Sequence, residues 1–179
     1  MDVTVDTLRP PIPARDLAHL VLLLRDAVDG GASVGFLPPL SDADAARYWQ
    51  GVLAEVGEGG RVLVVARAAD TTIVGTAQLA LDPYENGRHR AEIMKVMVVG
   101  SERRRGVGTL LMRAVEDHAR ALRRTTLVLA TRADDEPERL YQSLGYRCAG
   151  VIPDDTRDAQ GAFRSTAIYY RLVHRAEES

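Results

Sequence analysis

The sequence predicts an α/β (α+β) fold, one mixed seven-stranded central sheet with about four helices, and three observations lead there. Near-continuous apolar runs at 62–66 and 93–99 read as strands covered on both faces. Leu17, Leu20, Val21, Leu24 and Val28, and again Leu111, Val115, His118 and Leu122, recur at helical spacing and read as amphipathic helices. The second of these helices lies between the runs at 93–99 and 127–130, which favours parallel pairing of those two strands in the same sheet as the rest.

Taken in order, residues 3–8, Val-Thr-Val-Asp-Thr-Leu, alternate as a first strand, and Pro10-Pro11-Ile12-Pro13 closes it by removing backbone donors. Asp16 is read as the cap of the first helix, which Gly30-Gly31 ends. The loop 30–37, Gly-Gly-Ala-Ser-Val-Gly-Phe-Leu, is too apolar for a solvated linker and is expected to cover something. Ser41 or Asp42 caps a second helix to about Val56, with Trp49 read as core, and Gly57-Glu58-Gly59-Gly60 terminates it. A strand at 62–66, a turn at 69–72 and an antiparallel strand at 73–81 follow. A second turn at 83–87 then leads into the strand from His89 to Val99. Beyond the next helix and the short strand 127–130, Pro137 suits the first turn of a helix that passes Tyr141 and stops at Gly145. Two final strands, 146–152 and 163–173, are expected to be joined by a polar segment, 153–161.

A chain of 179 residues fits one domain, 1–179, with 46% hydrophobic and 27% charged residues, a globular composition. Its apolar runs fall far short of the ~18 residues of a spanning helix, so no membrane partner is expected. Residues 1–6 lack the cationic and apolar regions of a secretory signal, which makes the cytoplasm the expected location. The single cysteine, Cys148, cannot form an internal disulfide and is read as a small core residue. A net charge of -2 argues against a nucleic-acid platform, and the arginine bias, 22 of the 23 basic residues, says nothing about a ligand. His89 and His118 are solitary, no His, Cys or acidic pair has zinc-site spacing, and no metal is expected.

One basic cluster stands out against this background. After the apolar strand, Gly100-Ser101-Glu102-Arg103-Arg104-Arg105-Gly106-Val107-Gly108 leads into Thr109-Leu110-Leu111-Met112, so a helix begins inside a glycine turn with three arginines at its positive end. Unpartnered backbone N–H groups, the helix dipole and the local cations together favour a polyanion. A nucleotide-hydrolysing loop requires Gly-Lys-Ser/Thr after the glycines, whereas the chain's one lysine, Lys95, lies in the strand. A dinucleotide site requires three glycines in the first unit of a parallel sheet, whereas this turn comes past the middle of the chain.

Arg103-Arg104-Arg105-Gly106-Val107-Gly108 after an apolar strand resembles the pyrophosphate-binding motif of the GNAT acetyltransferases, and Leu140-Tyr141-Gln142-Ser143-Leu144-Gly145-Tyr146 resembles that family's Leu-Tyr-x-x-x-Gly-Phe/Tyr element. The order of strands and helices is similar to the GNAT fold across nearly the whole chain. The resemblance implies acetyl-coenzyme A as cosubstrate, held by Arg103, Arg104, Arg105, Gly106, Val107, Gly108 and Thr109 together with the strand end Met97, Val98 and Val99. Segment 30–36, Arg90-Ala91-Glu92 with Lys95, and Thr166-Ala167-Ile168-Tyr169 look similar to a member of the family that inactivates a bacterial toxin. Three positions depart from the pattern. Asp134 and Pro137 stand where the family often has Asn and Ala, and Ala130 stands where the toxin-inactivating member has an acidic residue, so contacts from those positions are not carried over.

Direct acetyl transfer needs a deprotonated amine, a stabilised oxyanion and a proton for the departing thiolate. The resemblance implies Glu92 as general base acting through water, although a carboxylate at a strand end also fits plain solvation or an ion pair with Arg90. It likewise implies Tyr141 as general acid, where the plain alternative is a packed ring, and a backbone N–H near Met97 or Val98 for the oxyanion. Two segments are free to wall the acceptor side: the 30–37 loop, with Phe36 to pack on a ligand and Ser33 to orient one, and the 153–161 connection, whose Asp154, Asp155 and Asp158 would attract a cation. The expected activity is N-acetylation of a small-molecule amine, a toxin or antibiotic, by a monomer or homodimer. The alternatives are acetylation of a protein or peptide amine, or a sensor that binds acetyl-coenzyme A without turnover.

Overall fold

The computed structural model describes residues 3–173; Met1 and Asp2, which belong to the stretch read for a secretory signal, lie outside them. The first strand, β1 (Thr4–Leu8), pairs antiparallel with β2 (Arg61–Arg67), β2 with β3 (Ile73–Leu81), and β3 with β4 (Arg90–Val98). β4 then pairs parallel with β5 (Thr126–Arg132), as the intervening helix predicts. A closing hairpin of β6 (Arg147–Arg157) and β7 (Phe163–Leu172) joins through β7, completing one seven-stranded sheet, β1-β2-β3-β4-β5-β7-β6, with four α-helices among the described residues.

Both faces of the middle of this sheet are covered, which is why its strands read as unbroken apolar runs rather than alternating ones. Along β2, Leu63 and Val65 point into a core built with α1 (Ala14–Asp29) and α2 (Asp42–Gly57). Val64 and Ala66 point the other way, towards α3 (Val107–Ala121) and α4 (Pro137–Ser143). Trp49 is fully buried between α1 and α2, and its indole N–H donates to the Leu20 carbonyl at 2.8 Å, so its one polar atom is satisfied. Ser41 caps α2, its hydroxyl accepting from the Asp44 N–H at 3.1 Å.

Four expectations need correction. Asp16 does not cap α1, which starts at Ala14 behind Pro13; instead it is buried in the first turn and accepts two hydrogen bonds from Arg67, 51 positions further on. The guanidinium holds the Asp16 carboxyl below the usual carboxylate range. Segment 153–161 is not a connection throughout, because β6 runs on to Arg157 past an irregularity between Ile152 and Thr156. Cys148 is exposed, not core, since β6 is an edge strand covered on neither face. Asp158 is not free to draw in a cation, because it is buried at the hairpin turn and accepts from the N–H groups of Gln160 and Ala162 and from Arg164.

Candidate active site

The site arises where the sheet fails to stay closed. β4 and β5 pair only over Arg90, Ala91 and Glu92, while β5 continues against β7 as far as Arg132, so the two parallel strands part beyond Glu92. Just past that point β4 carries a bulge: Lys95 and Val96 stand opposite the single residue Ala77, with Lys95 at φ 53° and its carbonyl accepting from the Thr76 hydroxyl at 3.1 Å. Beyond Glu92 the edge of β4 that faces β5 is unpaired, and this edge includes Met97 and Val98, the place where an oxyanion donor is expected.

A cavity of about 550 Å³ opens into the gap. Its walls are the end of α1 (Ala27, Gly30, Gly31), the bulged strand (Val96, Met97, Val98), the glycine turn and the start of α4. The turn is built for an anion. The first helical bond of α3 runs from the Leu110 N–H to the Gly106 carbonyl, so the N–H groups of Val107, Gly108 and Thr109 have no intrahelical partner. Gly106 precedes the helix at φ 83°, which favours glycine, and Gly108 packs so closely on α4 that a β-carbon there would sit 3.0 Å from Leu140.

The three arginines divide their roles. Arg103 lines the cavity and donates through Nε to the Val98 carbonyl at 3.0 Å. Arg104 also lines it and pairs at 2.6 Å with Glu136, a residue of the opposite wall, so this ion pair joins the turn to the start of α4. Arg105 lies outside the lining and pairs with Glu102 at 3.1 Å. Val99 and Val107 are outside it as well, Val107 being buried in the core, while Met97, Val98, Gly106, Gly108 and Thr109 face it. The donor set suits a pyrophosphate: helix N–H groups, two cations within reach and a cleft running from them to the strand gap.

A second chamber of about 290 Å³ lies beyond the gap, and Tyr141 lines both. Burial raises the Tyr141 phenol to about 12, so it is a neutral proton donor throughout the ordinary pH range. Glu92 is exposed to this chamber, and the ion pair that would have tied it to Arg90 does not form, because Arg90 is bound to Asp82 at 2.5 Å. Ser33 and Asp155 face the same chamber. Asp154, at φ 53° in the irregular part of β6, does not line it. Phe36 lies next door, edge-on to Tyr48 at 5.3 Å and lining a neighbouring hollow with Ser33 and Arg157.

Some lining residues were not singled out as site residues by sequence. Gly30, Gly31 and Ala32 of the loop expected to wall the acceptor also border the larger cavity. Asp135 borders both chambers, and Arg132 borders the larger cavity and the hollow beside Phe36. Their neighbours in the chain carry no motif, and only the divergence of β4 from β5 brings them into the gap. His118 contacts the Thr7 hydroxyl at 2.8 Å, well away from these residues.

Residues 27–146 match the sequence model of the Acetyltransferase (GNAT) family. Among solved structures, a GNAT superfamily phosphinothricin acetyltransferase from Sinorhizobium meliloti in complex with AcCoA superposes with a TM-score of 0.79 at 19% identity, covering 100% of this chain and 93% of that one. A GCN5-related N-acetyltransferase from Kribbella flavida does so with a TM-score of 0.78 at 24% identity, over 96% and 98% of the two chains. A ribosomal-protein-alanine N-acetyltransferase from Brucella melitensis gives 0.78 at 19% identity, over 95% and 99%. At these identities the likeness to the solved structures is one of fold.

Proposed function

Because the chain belongs to the Acetyltransferase (GNAT) family, we propose that it transfers acetyl from acetyl-coenzyme A directly to the amine of a small molecule. The observation that carries this is the position of Tyr141, which lines the larger cavity and the smaller chamber together, with Glu92 facing the latter. In this reading Arg103, Arg104 and the free N–H groups at the start of α3 hold the pyrophosphate, and the cosubstrate supplies the activated acetyl group. Glu92 accepts a proton from the acceptor ammonium through water, a backbone N–H at Met97 or Val98 meets the oxyanion, and Tyr141 gives its proton to the departing thiolate.

A chamber of about 290 Å³, walled by the 30–37 loop and β6, favours a small acceptor. Segment 30–36, Arg90-Ala91-Glu92 with Lys95, and Thr166-Ala167-Ile168-Tyr169 resemble the tabtoxin resistance protein, which supports a toxin or antibiotic as that acceptor. Two proteins of similar fold, the phosphinothricin acetyltransferase and the ribosomal-protein-alanine N-acetyltransferase, illustrate the small-molecule choice and its protein alternative. The same proposal takes residues 1–179 as one catalytic domain, monomeric or homodimeric, working in the cytoplasm where its thioester is found.

The test is release of free thiol from acetyl-coenzyme A across a panel of small amines and amine-bearing peptides, beside a binding titration of acetyl-coenzyme A alone. Release with small amines is the expected result. Release only with peptides selects the protein acceptor, and binding with no release for any amine replaces the enzyme with a sensor.

A further inference from the structure

The acceptor chamber holds one positive charge, which the transfer steps above leave unused. Lys95, the only lysine of the chain, sits at the β4 bulge and turns its side chain into the chamber that Glu92 and Tyr141 share. Its ammonium lies 5.8 Å from the centre of the Tyr48 ring, and a β-carbon on Gly35 would come within 3.4 Å of it, so the 30–37 loop closes against it. The Tyr48 ring is itself fixed, its hydroxyl accepting from the buried Gln78 amide at 3.0 Å.

Among the described residues no carboxylate lies within ion-pairing distance of this half-buried ammonium. Burial and the nearby Arg61 both disfavour its charge, and only Glu92 favours it. A cation held in a partly desolvated chamber without a counter-charge is costly, and a ligand that brings an anion removes the cost. The carboxylates on the chamber walls, Glu92 and Asp155 together with Asp135, which lies 3.8 Å from Arg132, suit an ammonium on the same ligand.

Resting on the N-acetyltransferase proposal, we infer that the acceptor is zwitterionic, an amino-acid-like molecule whose anionic group is held by Lys95 while its amine is presented to Glu92. A plain alkylamine would satisfy the carboxylates and leave the lysine bare, whereas a simple anion would meet the carboxylates.

The test uses the full chain with acetyl-coenzyme A, and as acceptors the proteinogenic L-amino acids, each beside its C-terminal amide and its decarboxylated amine, read by thiol release. The expected result is that at least one amino acid exceeds its own amide and amine in kcat/KM by roughly 10- to 10²-fold, the worth of a charge-assisted hydrogen bond. Lys95→Met is expected to collapse that ratio to within about threefold, through the KM of the amino acid, with acetyl-coenzyme A affinity by titration as a check on folding; Lys95→Arg should restore part of it. Thiol release confined to anion-free amines overturns the inference while leaving the acetyl transfer in place. So does a Lys95→Met variant that weakens charged and uncharged members equally. No release with any of these acceptors overturns the inference, and no release with the wider panel of small amines and peptides either defeats the N-acetyltransferase reading itself.

Discussion

Tyr141 shows how one residue's surroundings set its chemistry. Burial raises its phenol to about 12, which disfavours the phenolate, but the same desolvation disfavours the thiolate it would protonate, so donor and acceptor are shifted in the same direction. Because the folded-state value is raised, the proton stays on the oxygen across the neutral and mildly alkaline range, and an alkaline fall in rate near pH 9 is expected to come from another group. Tyr141→Phe is expected to lower kcat by the ~10²- to 10⁴-fold of a lost general acid, with the acetyl-coenzyme A dissociation constant nearly unchanged in titration. Unaltered turnover would reduce Tyr141 to packing against Tyr146 and Tyr169. This residue was legible because the Leu-Tyr-x-x-x-Gly-Tyr spacing marks it. The place of Lys95 in the chamber was not, because its direction depends on a bulge that inserts an odd residue and turns the side chain to another face. Asp16 misled for a related reason: a short acidic residue near a helix start reads as a cap, while its real partner, Arg67, is 51 residues away.

Elements place these residues, and the glycine turn with α4 is the pair that matters most. Arg104 of the turn and Glu136 at the start of α4 are both largely exposed, and their ion pair links the two walls of the larger cavity. Binding a pyrophosphate there means sharing or surrendering Arg104, with the Glu136 carboxylate left facing the anion. Glu136→Gln is therefore expected to tighten acetyl-coenzyme A, by about two- to fivefold given the small worth of exposed pairs, and to tighten acetyl-pantetheine not at all. Titration calorimetry of the two ligands on the variant checks this; weaker acetyl-coenzyme A binding would mean that Glu136 instead orients Arg104 for the phosphate. The turn itself was readable from glycines and arginines, and the limits of β3 from the turns on either side of it, the 73–81 span standing as read. β6 was not. Pro153, Asp154 and Asp155 read as connection, but an edge strand tolerates proline and a local irregularity, and the strand continues to Arg157.

At the scale of the whole molecule, one sheet provides everything the proposed reaction needs by opening at a single place. The core on the α1 and α2 side and the core on the α3 and α4 side cover β2, β3 and β4 on both faces, while β4 and β5 part beyond Glu92 and leave a cleft. Apolar runs, helical spacing, glycines and prolines were enough to anticipate the order of the elements, because each is decided by nearby residues. The neighbours across the cleft, Asp135 and Arg132 among them, depend on long-range pairing that leaves no local trace. The central claim, that this cleft binds acetyl-coenzyme A with its pyrophosphate on the 103–109 turn, is tested most directly by calorimetric titration of acetyl-coenzyme A and acetyl-pantetheine onto the wild-type chain and an Arg103→Ala, Arg104→Ala double variant. Loss of two charge-assisted contacts is expected to weaken acetyl-coenzyme A by ~10²-fold or more while acetyl-pantetheine binds both proteins alike. A wild-type chain that does not bind acetyl-coenzyme A, or a double variant that weakens the two ligands equally, would contradict it.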